Sequence, residues 1–146
     1  MDVYKRIERQ IGEYIGARYR NAAEVGAGRN FDAARIIAGA GSRVFCTDIR
    51  TPPEDPGVPF RTDDIFAPDR TLYQGIDLIY SIRPAVEMVP PLIDLAKNCG
   101  CDLLVYHLGF ETYGDGGETI DCGVILHRYV RAPRLTVSQN PSKSVD

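Results

Sequence analysis

The order of hydrophobic and polar positions predicts alternating helices and strands. Apolar residues recur every four positions from Val3 to Tyr19 with charged residues between them, which predicts an amphipathic helix with one buried stripe. Further along, short runs rich in Val, Ile and Leu alternate with helical patterns, and glycines or prolines separate them. Strands are predicted over 22–25, 43–49, 58–65, 76–82, 101–108 and 120–130, and two further helices over 31–40 and 90–98.

This alternation indicates an α/β fold, a Rossmann-like three-layer sandwich with a mostly parallel sheet and helices on both faces. The late strand 120–130 should add antiparallel at one edge of the sheet. The segment from Ile65 to Ile76 is too short for a full crossover helix with its loops, so one helix should be abbreviated. We expect one domain over residues 1–131, with helix 3–19 packed on it, and a disordered polar tail over 132–146.

Composition narrows the class of protein. Of the 146 residues, 44% are hydrophobic and 25% are charged, which is a normal globular balance. The net charge of −3 does not indicate nucleic-acid binding. No signal peptide or membrane-spanning run is recognisable, so we expect a cytoplasmic protein with no membrane attachment. The cysteines are then reduced thiols rather than metal ligands, and no metal site is expected; they are Cys46, Cys99, Cys101 and Cys122.

The first strand ends in a glycine turn of the kind that nucleotide-binding sites use. Gly26 and Gly28 let the backbone turn sharply, and Phe31 begins a helix whose N-terminus offers free N–H groups. Asp48 ends the second strand twenty positions after Gly28, where an acid that binds ribose hydroxyls is expected. Together these features predict a pocket for a nucleoside-containing cofactor. The alternative is a turn retained only for packing.

Two residues beside the turn bear on the identity of the cofactor. A dinucleotide fingerprint has a third glycine that lets the helix approach the pyrophosphate, and Phe31 stands in that place. Glu24 ends the buried strand with a carboxylate, which suits a cation better than a pyrophosphate. NAD(P) is therefore the less favoured cofactor, although it stays open as an alternative.

This combination resembles the class I S-adenosylmethionine-dependent methyltransferases, whose first motif is an acid-x-Gly-x-Gly turn, here Glu24 to Gly28. The resemblance implies that the turn surrounds the methionine part of S-adenosylmethionine and that Asp48 binds the ribose. It also implies an acid at the end of the next strand that accepts from the adenine amino group. Asp64 is the favoured residue, with Asp63 as the alternate and Ile65 packing against the ring. A solvated strand end or a cap is the alternative for these two acids.

A narrower resemblance is to an uncharacterised family known mainly from archaea, with a methyltransferase-like Rossmann fold and no assigned reaction. The stretches that carry it are Glu24–Arg29, Thr47–Ile49, Asp63–Phe66 and Asp77–Pro84. This resemblance supports the fold and supplies no activity.

The segment after the fourth strand meets the substrate in these methyltransferases. Here it reads Ser81-Ile82-Arg83-Pro84, without the Asn-Pro-Pro-aromatic motif of the amino-methylating members. The candidate catalytic residues are Ser81, Arg83 and His107. Arg83 is suited to a carboxylate or phosphate of a substrate, or to a surface salt bridge with Glu87. His107 is either a base near the cleft or a core histidine.

Methyl transfer can proceed largely by positioning, so the lack of an obvious base does not exclude it. The sequence therefore favours an S-adenosylmethionine-binding, methyltransferase-like protein whose methyl acceptor is unassigned. The alternatives are an NAD(P)-binding Rossmann protein and a non-catalytic ligand-binding or regulatory module. A core this small is compatible with a homodimer or a small substrate. The loop 111–118 is either a flap over the site or a solvated loop.

Overall fold

A computed structural model of the chain describes residues 3–133, with side chains from Arg6 onward. All but the first two residues of the predicted tail 132–146 lie outside the described residues. The elements are α1 (Val3–Arg18), β1 (Asn21–Val25), α2 (Asp32–Gly39), β2 (Arg43–Asp48), β3 (Phe60–Thr62), β4 (Leu78–Ile82), α3 (Val89–Cys99), β5 (Asp102–Tyr106), β6 (Glu118–Asp121) and β7 (Ile125–Val130). Two short 3₁₀ turns cover Arg70–Tyr73 and Val86–Met88.

The seven strands form one sheet in the order β3-β2-β1-β4-β5-β7-β6. Strands β1 to β5 run parallel, and β7 is antiparallel to both of its neighbours, β5 and β6. The predicted mostly parallel sheet with an antiparallel C-terminal strand is confirmed. Because β1 pairs with β2 on one side and β4 on the other, the strand order reverses there, and ligands of open α/β sheets bind at such a point.

Helices cover both faces of the sheet. Helices α1 and α2 pack on one face, and α3 packs on the other together with the 3₁₀ turn Arg70–Tyr73. The stripe predicted for the first helix is buried through Ile7, Ile11 and Ile15. The two helices of the first layer lie close together, since a Cβ at Gly12 would be 2.9 Å from Ile36 Cβ. The result is the three-layer sandwich that the sequence predicts.

The chain between β3 and β4 contains no α-helix, as its length predicts. The 3₁₀ turn Arg70–Tyr73 takes the place of a crossover helix and buries Tyr73 completely. The preceding strand is shorter than predicted, since only Phe60–Thr62 of the expected 58–65 pairs with β2. The outer edge of the sheet is therefore short on this side.

The predicted strand 120–130 is two strands in the structure, so that part of the prediction is wrong. Strands β6 and β7 form an antiparallel hairpin, with Ile120 opposite Leu126. Asp121 Oδ1 accepts a hydrogen bond of 2.9 Å from the Gly123 N–H, and Gly123 has a φ of +96°. This turn breaks the apolar run, because a glycine adopts positive φ without the strain that a side chain would cause.

Within residues 3–133, no helix has both the length and the apolar character needed to cross a membrane.

Candidate functional site

A cleft of about 230 Å³ opens at the carboxyl edge of the sheet, at the point where the strand order reverses. The ends of four parallel strands contribute to it: Gly26 after β1, Asp48 at the end of β2, Asp63 to Ile65 after β3, and Arg83 after β4. Topology thus brings together most of the residues that the sequence singles out. Glu24, Gly28, Ser81 and His107 do not line this cleft.

The glycine turn is folded against the end of β2. The N–H groups of Gly26 and Ala27 both donate to the Thr47 carbonyl, at 2.9 and 3.2 Å. Gly26 and Gly28 have φ values of +75° and +61°, which glycine adopts without strain. A Cβ on Gly26 would lie 3.0 Å from Met88 Cε at the cleft wall. Both positions therefore favour glycine for their backbone angles, and a Cβ at Gly26 would in addition require a small shift of the flexible end of Met88.

Asp48 joins two loops with its carboxylate. Its Oδ2 accepts from the Gly28 N–H at 2.8 Å, and its Oδ1 accepts from the Arg50 N–H at 3.2 Å. A carboxylate has about four acceptor positions, so two N–H partners leave room for two hydroxyl donors. Asp48 also lines a neighbouring hollow of about 280 Å³, which Gly28 shares. The predicted ribose-binding acid is thus held by two backbone N–H groups and lines both openings.

The two acids after β3 differ in how far the protein itself engages them. Asp63 accepts from the Asp69 N–H at 3.0 Å and from the Tyr73 hydroxyl at 2.7 Å, so both of its oxygens have protein partners. Asp64 accepts only through Oδ1, from the Phe66 N–H at 2.9 Å. Asp64 therefore has one carboxylate oxygen without a protein partner among the described residues, whereas Asp63, like Asp48, has one partner on each oxygen; which of the two acids contacts a ligand stays a prediction.

Apolar side chains flank these acids, and the sequence interpretation missed two of them. Ile49 and Phe66 line the cleft with 62% and 61% of their surface exposed, beside the buried Ile65. Large apolar side chains in this position suggest a ligand that covers them. A signal was present, since Ile49 directly follows Asp48 and Phe66 directly follows Ile65. In the sequence, however, Ile49 looked like an ordinary last residue of the predicted strand 43–49, and Phe66 lay one position beyond the predicted strand 58–65.

Glu24 lies in the core beneath the turn. Its side chain is buried, and Glu24 Oε1 accepts a hydrogen bond of 2.8 Å from the Tyr80 hydroxyl. Burial raises the pKa of Glu24 to about 8, and the Tyr80 hydrogen bond opposes this rise only in part. The carboxyl group is therefore mostly protonated at neutral pH. Its direct contact with a ligand cation stays a prediction, and its observed role is to support the strand that carries the turn.

Ser81 and Arg83 both support the backbone around the cleft. The buried Ser81 donates from Oγ to the Val25 carbonyl at 2.7 Å, which links β4 to the end of β1. Arg83 has a φ of +56°, the only positive value at a non-glycine position among residues 3–133. Such a conformation is strained and often marks a functional site.

The guanidinium of Arg83 forms a salt bridge with Glu8 rather than with Glu87. Arg83 Nη2 lies 3.1 Å from Glu8 Oε1, and Glu8 is almost completely buried in α1. The same guanidinium lies 5.4 Å from the centre of the Tyr106 ring. Helix α1 therefore fixes the loop after β4 through an ion pair that spans 75 positions of the chain.

His107 follows β5 and lies in a different hollow. It is buried, and its Nε2 is 2.6 Å from the Tyr129 hydroxyl. Burial, together with the nearby His127, lowers the pKa of His107. All four cysteines are free thiols. Among the described residues, no group of three or more His, Cys, Asp or Glu side chains could hold a metal ion.

The strand order and the cleft define a methyltransferase-like Rossmann fold. A solved O-methyltransferase family protein from Burkholderia thailandensis superposes with a TM-score of 0.53 at 15% identity, covering 70% of this chain and 37% of that one. A protein described as a putative ribosomal RNA methyltransferase from Plasmodium falciparum superposes with a TM-score of 0.52 at 16% identity, covering 73% of this chain and 76% of that one. At this level of identity the likeness shows the fold alone.

The chain belongs to UPF0146, an uncharacterised protein family whose sequence profile matches residues 9–115. A UPF0146 protein of Archaeoglobus fulgidus is 38% identical over 109 residues, covering 73% of this chain and 79% of the relative. A Pyrococcus horikoshii relative is 30% identical over 127 residues, covering 82% of this chain and 97% of the relative. A Halobacterium salinarum relative is 32% identical over 124 residues, covering 85% and 91%. The matched region contains the whole cleft.

Proposed function

We propose that this protein binds S-adenosylmethionine in the cleft at the carboxyl ends of β1 to β4 and is a methyltransferase-like protein. The observation that carries the proposal is the arrangement around Asp48. A carboxylate held by two backbone N–H groups lies between a glycine turn and an exposed apolar wall, at the point where the strand order reverses. Each part suits a different portion of an adenosine group.

The adenosine end of the ligand fits the groups present. Asp48 offers acceptor capacity to the two ribose hydroxyls. Ile49 and Phe66 provide exposed apolar surface for a flat purine ring, and Asp64 keeps an oxygen for the adenine amino group. The cleft and the neighbouring hollow share Asp48, and together they fall within the roughly 300–1,000 Å³ of typical small-molecule sites.

The methionine end of the ligand would lie beside Gly26, Arg83 and Met88, which line the other part of the cleft. Arg83 can approach a carboxylate there while it stays paired with Glu8, because a guanidinium has five N–H donors. When bound, S-adenosylmethionine supplies an activated methyl group. Ser81 and Arg83 hold the backbone around it, which is a positioning role.

A dinucleotide is less well supported, because the start of α2 is poorly suited to a pyrophosphate. Asn30 Oδ1 already accepts from the Asp32 N–H at 3.0 Å, and Asp32 adds negative charge in the first turn. Phe31 is buried and packs edge-on against Phe60, with ring centres 6.3 Å apart. The side chain in place of a third glycine therefore belongs to the core.

Calorimetric titration with S-adenosylhomocysteine tests the proposal. We expect saturable binding to the wild-type protein and a Kd at least about tenfold higher for Asp48→Ala, since a hydrogen bond to a charged group contributes about 1.5–3 kcal/mol. Asp48→Asn keeps an acceptor oxygen and should show a smaller loss. Asp94→Ala, at an exposed position on α3, is the matched control and should bind like the wild type.

Two results would overturn the proposal. One is the absence of saturable binding at about 1 mM ligand, the other an equal Kd for the wild type and Asp48→Ala. A parallel titration with NADH separates the cofactors. Binding of NADH without binding of S-adenosylhomocysteine would instead favour an NAD(P)-binding Rossmann protein.

A further inference from the structure

A buried tyrosine hydroxyl joins two of the strand ends that form the cleft. Tyr73 is completely buried in the 3₁₀ turn that takes the place of a crossover helix between β3 and β4. Its hydroxyl oxygen lies 3.1 Å from Thr47 Oγ1 in β2 and 2.7 Å from Asp63 Oδ2 after β3. Tyr73 does not line the cleft, and none of the interactions proposed for the cofactor uses it.

The direction of both hydrogen bonds follows from the groups involved. A carboxylate can only accept, so the Tyr73 hydroxyl donates its one proton to Asp63. Burial raises the pKa of the Tyr73 hydroxyl, which keeps this proton in place. The Thr47 hydroxyl then has to donate to the Tyr73 oxygen. The three groups therefore form a chain of hydrogen bonds that runs in one direction and ends at Asp63.

Thr47 extends this chain to the glycine turn. Its side chain is bound to Tyr73, while its backbone carbonyl accepts from the Gly26 and Ala27 N–H groups at 2.9 and 3.2 Å. Thr47 is buried and directly precedes Asp48, the proposed ribose-binding acid. One buried hydroxyl therefore links the glycine turn, the end of β2 and the chain that follows β3.

Asp63 holds the loop that forms the apolar wall of the cleft. Its second oxygen, Oδ1, accepts from the Asp69 N–H at 3.0 Å and so closes residues 63–69 into a loop, which we call the wall turn. The wall turn carries three further cleft-lining residues, Asp64, Ile65 and Phe66. Because both oxygens of Asp63 have partners, its carboxylate cannot rotate without breaking one of these bonds. The Tyr73 hydroxyl thus fixes the wall turn through Asp63.

We propose that Tyr73 is a positioning residue that fixes the wall turn and thereby makes the cleft select adenine over a purine with a carbonyl group in place of the 6-amino group. A carboxylate that is held in one place accepts from an amino group and repels a carbonyl oxygen at the same position. A wall turn that is free to shift lets the carboxylate move away from the carbonyl, and the selectivity is lost. Both Asp63 and Asp64 belong to the wall turn, so this role applies to either acid. The inference rests on the proposed function.

Calorimetric titration with S-adenosylhomocysteine and with S-inosylhomocysteine measures this selectivity. The two ligands differ only in the base, where S-inosylhomocysteine has a carbonyl oxygen in place of the adenine amino group. We expect the wild type to bind S-adenosylhomocysteine at least about tenfold more tightly. Tyr73→Phe keeps the buried ring and removes the hydroxyl, so the ratio of the two Kd values should fall about fivefold.

Tyr19→Phe is the matched control, because it removes a hydrogen bond of the same kind outside the cleft. The Tyr19 hydroxyl lies 2.7 Å from Asp102 Oδ2, at the start of β5 and thus at the opposite edge of the sheet. Loss of a buried hydrogen bond should lower the stability of both variants. Only Tyr73→Phe should change the ratio of the two Kd values.

Amide hydrogen exchange tests the positioning without any ligand. The Asp69 N–H donates to Asp63, so its exchange reports how firmly the wall turn is closed. It should exchange about fivefold faster in Tyr73→Phe than in the wild type. In Tyr19→Phe it should keep its wild-type rate.

The inference is overturned if the wild type binds both ligands equally, or if Tyr73→Phe and Tyr19→Phe give the same ratio of Kd values. An unchanged exchange rate of the Asp69 N–H in Tyr73→Phe would also contradict it. In each of these cases, saturable binding of S-adenosylhomocysteine would still support the proposed function. If the wild type binds neither ligand, the proposed function itself fails, and the selectivity assigned to Tyr73 fails with it.

Discussion

The carboxyl group of Glu24 lies inside the core, where it accepts a hydrogen bond from the Tyr80 hydroxyl. Its pKa is raised to about 8, first of all by burial, while the nearby Glu8 adds to the rise and the Tyr80 hydroxyl opposes it. In the unfolded chain the same carboxyl group titrates near its ordinary value of about 4.3. Between these two values the folded state holds a proton that the unfolded state has lost.

The free energy of unfolding should therefore fall as pH rises from about 5 to about 8, by at most about 1.4 kcal/mol per pH unit from this group. Glu24→Gln should flatten that slope, because a glutamine cannot ionise and its carbonyl can still accept from Tyr80. Urea unfolding at several pH values measures the slope. Glu13→Gln, at an exposed position on α1, is the control. Equal slopes for wild type and Glu24→Gln would show that Glu24 ionises normally.

For single residues, the sequence predicts those members of the candidate site whose position follows from their spacing along the chain. Asp48, Asp63 and Asp64 stand at strand ends, so the rule for parallel sheets places them at one edge. The ion pair between Glu8 and Arg83 joins positions 75 apart and depends on how α1 packs, which no local pattern encodes. The partners of a polar side chain are therefore much harder to predict than its place in a motif.

The glycine turn shows how an element depends on single backbone angles. Gly28 has a φ of +61°, whereas Gly39, the last residue of α2, has no positive φ and no neighbour within 4 Å of an added Cβ. Gly28→Ala should destabilise the protein by about 1–2 kcal/mol through backbone strain. Gly39→Ala should stabilise it by about 0.5 kcal/mol, because alanine restricts the unfolded chain. Chemical unfolding of the two variants measures both effects, and equal shifts would refute the role assigned to the turn.

Hydrophobic periodicity predicts most elements to within a few residues and fails at the C-terminal hairpin. The run 120–130 contains enough apolar residues for one strand, yet Asp121 and Gly123 form a turn in the middle of it. An Asp followed two positions later by Gly is a turn signal, and here the apolar neighbours masked it. The turn at Asp121 and Gly123 interrupts the apolar pattern because it reverses the chain, and this reversal lets β6 pair with β7.

The whole molecule has its candidate cofactor cleft and further hollows along the carboxyl edge of the sheet. The cleft lies where the strand order reverses, and a hollow lined by Tyr106, His107 and His127 lies where a loop rather than a helix connects β5 to β6. A short connection on that side leaves the end of β5 uncovered. The small protein therefore has more than one opening along the carboxyl edge of its sheet.

The most direct test of the central claim is a crystal structure of the protein with S-adenosylhomocysteine. We expect the ligand in the cleft, with its ribose hydroxyls bonded to Asp48 and its adenine against Ile49 and Phe66. A ligand bound elsewhere, or a cleft that stays empty at saturating ligand concentration, would contradict the account.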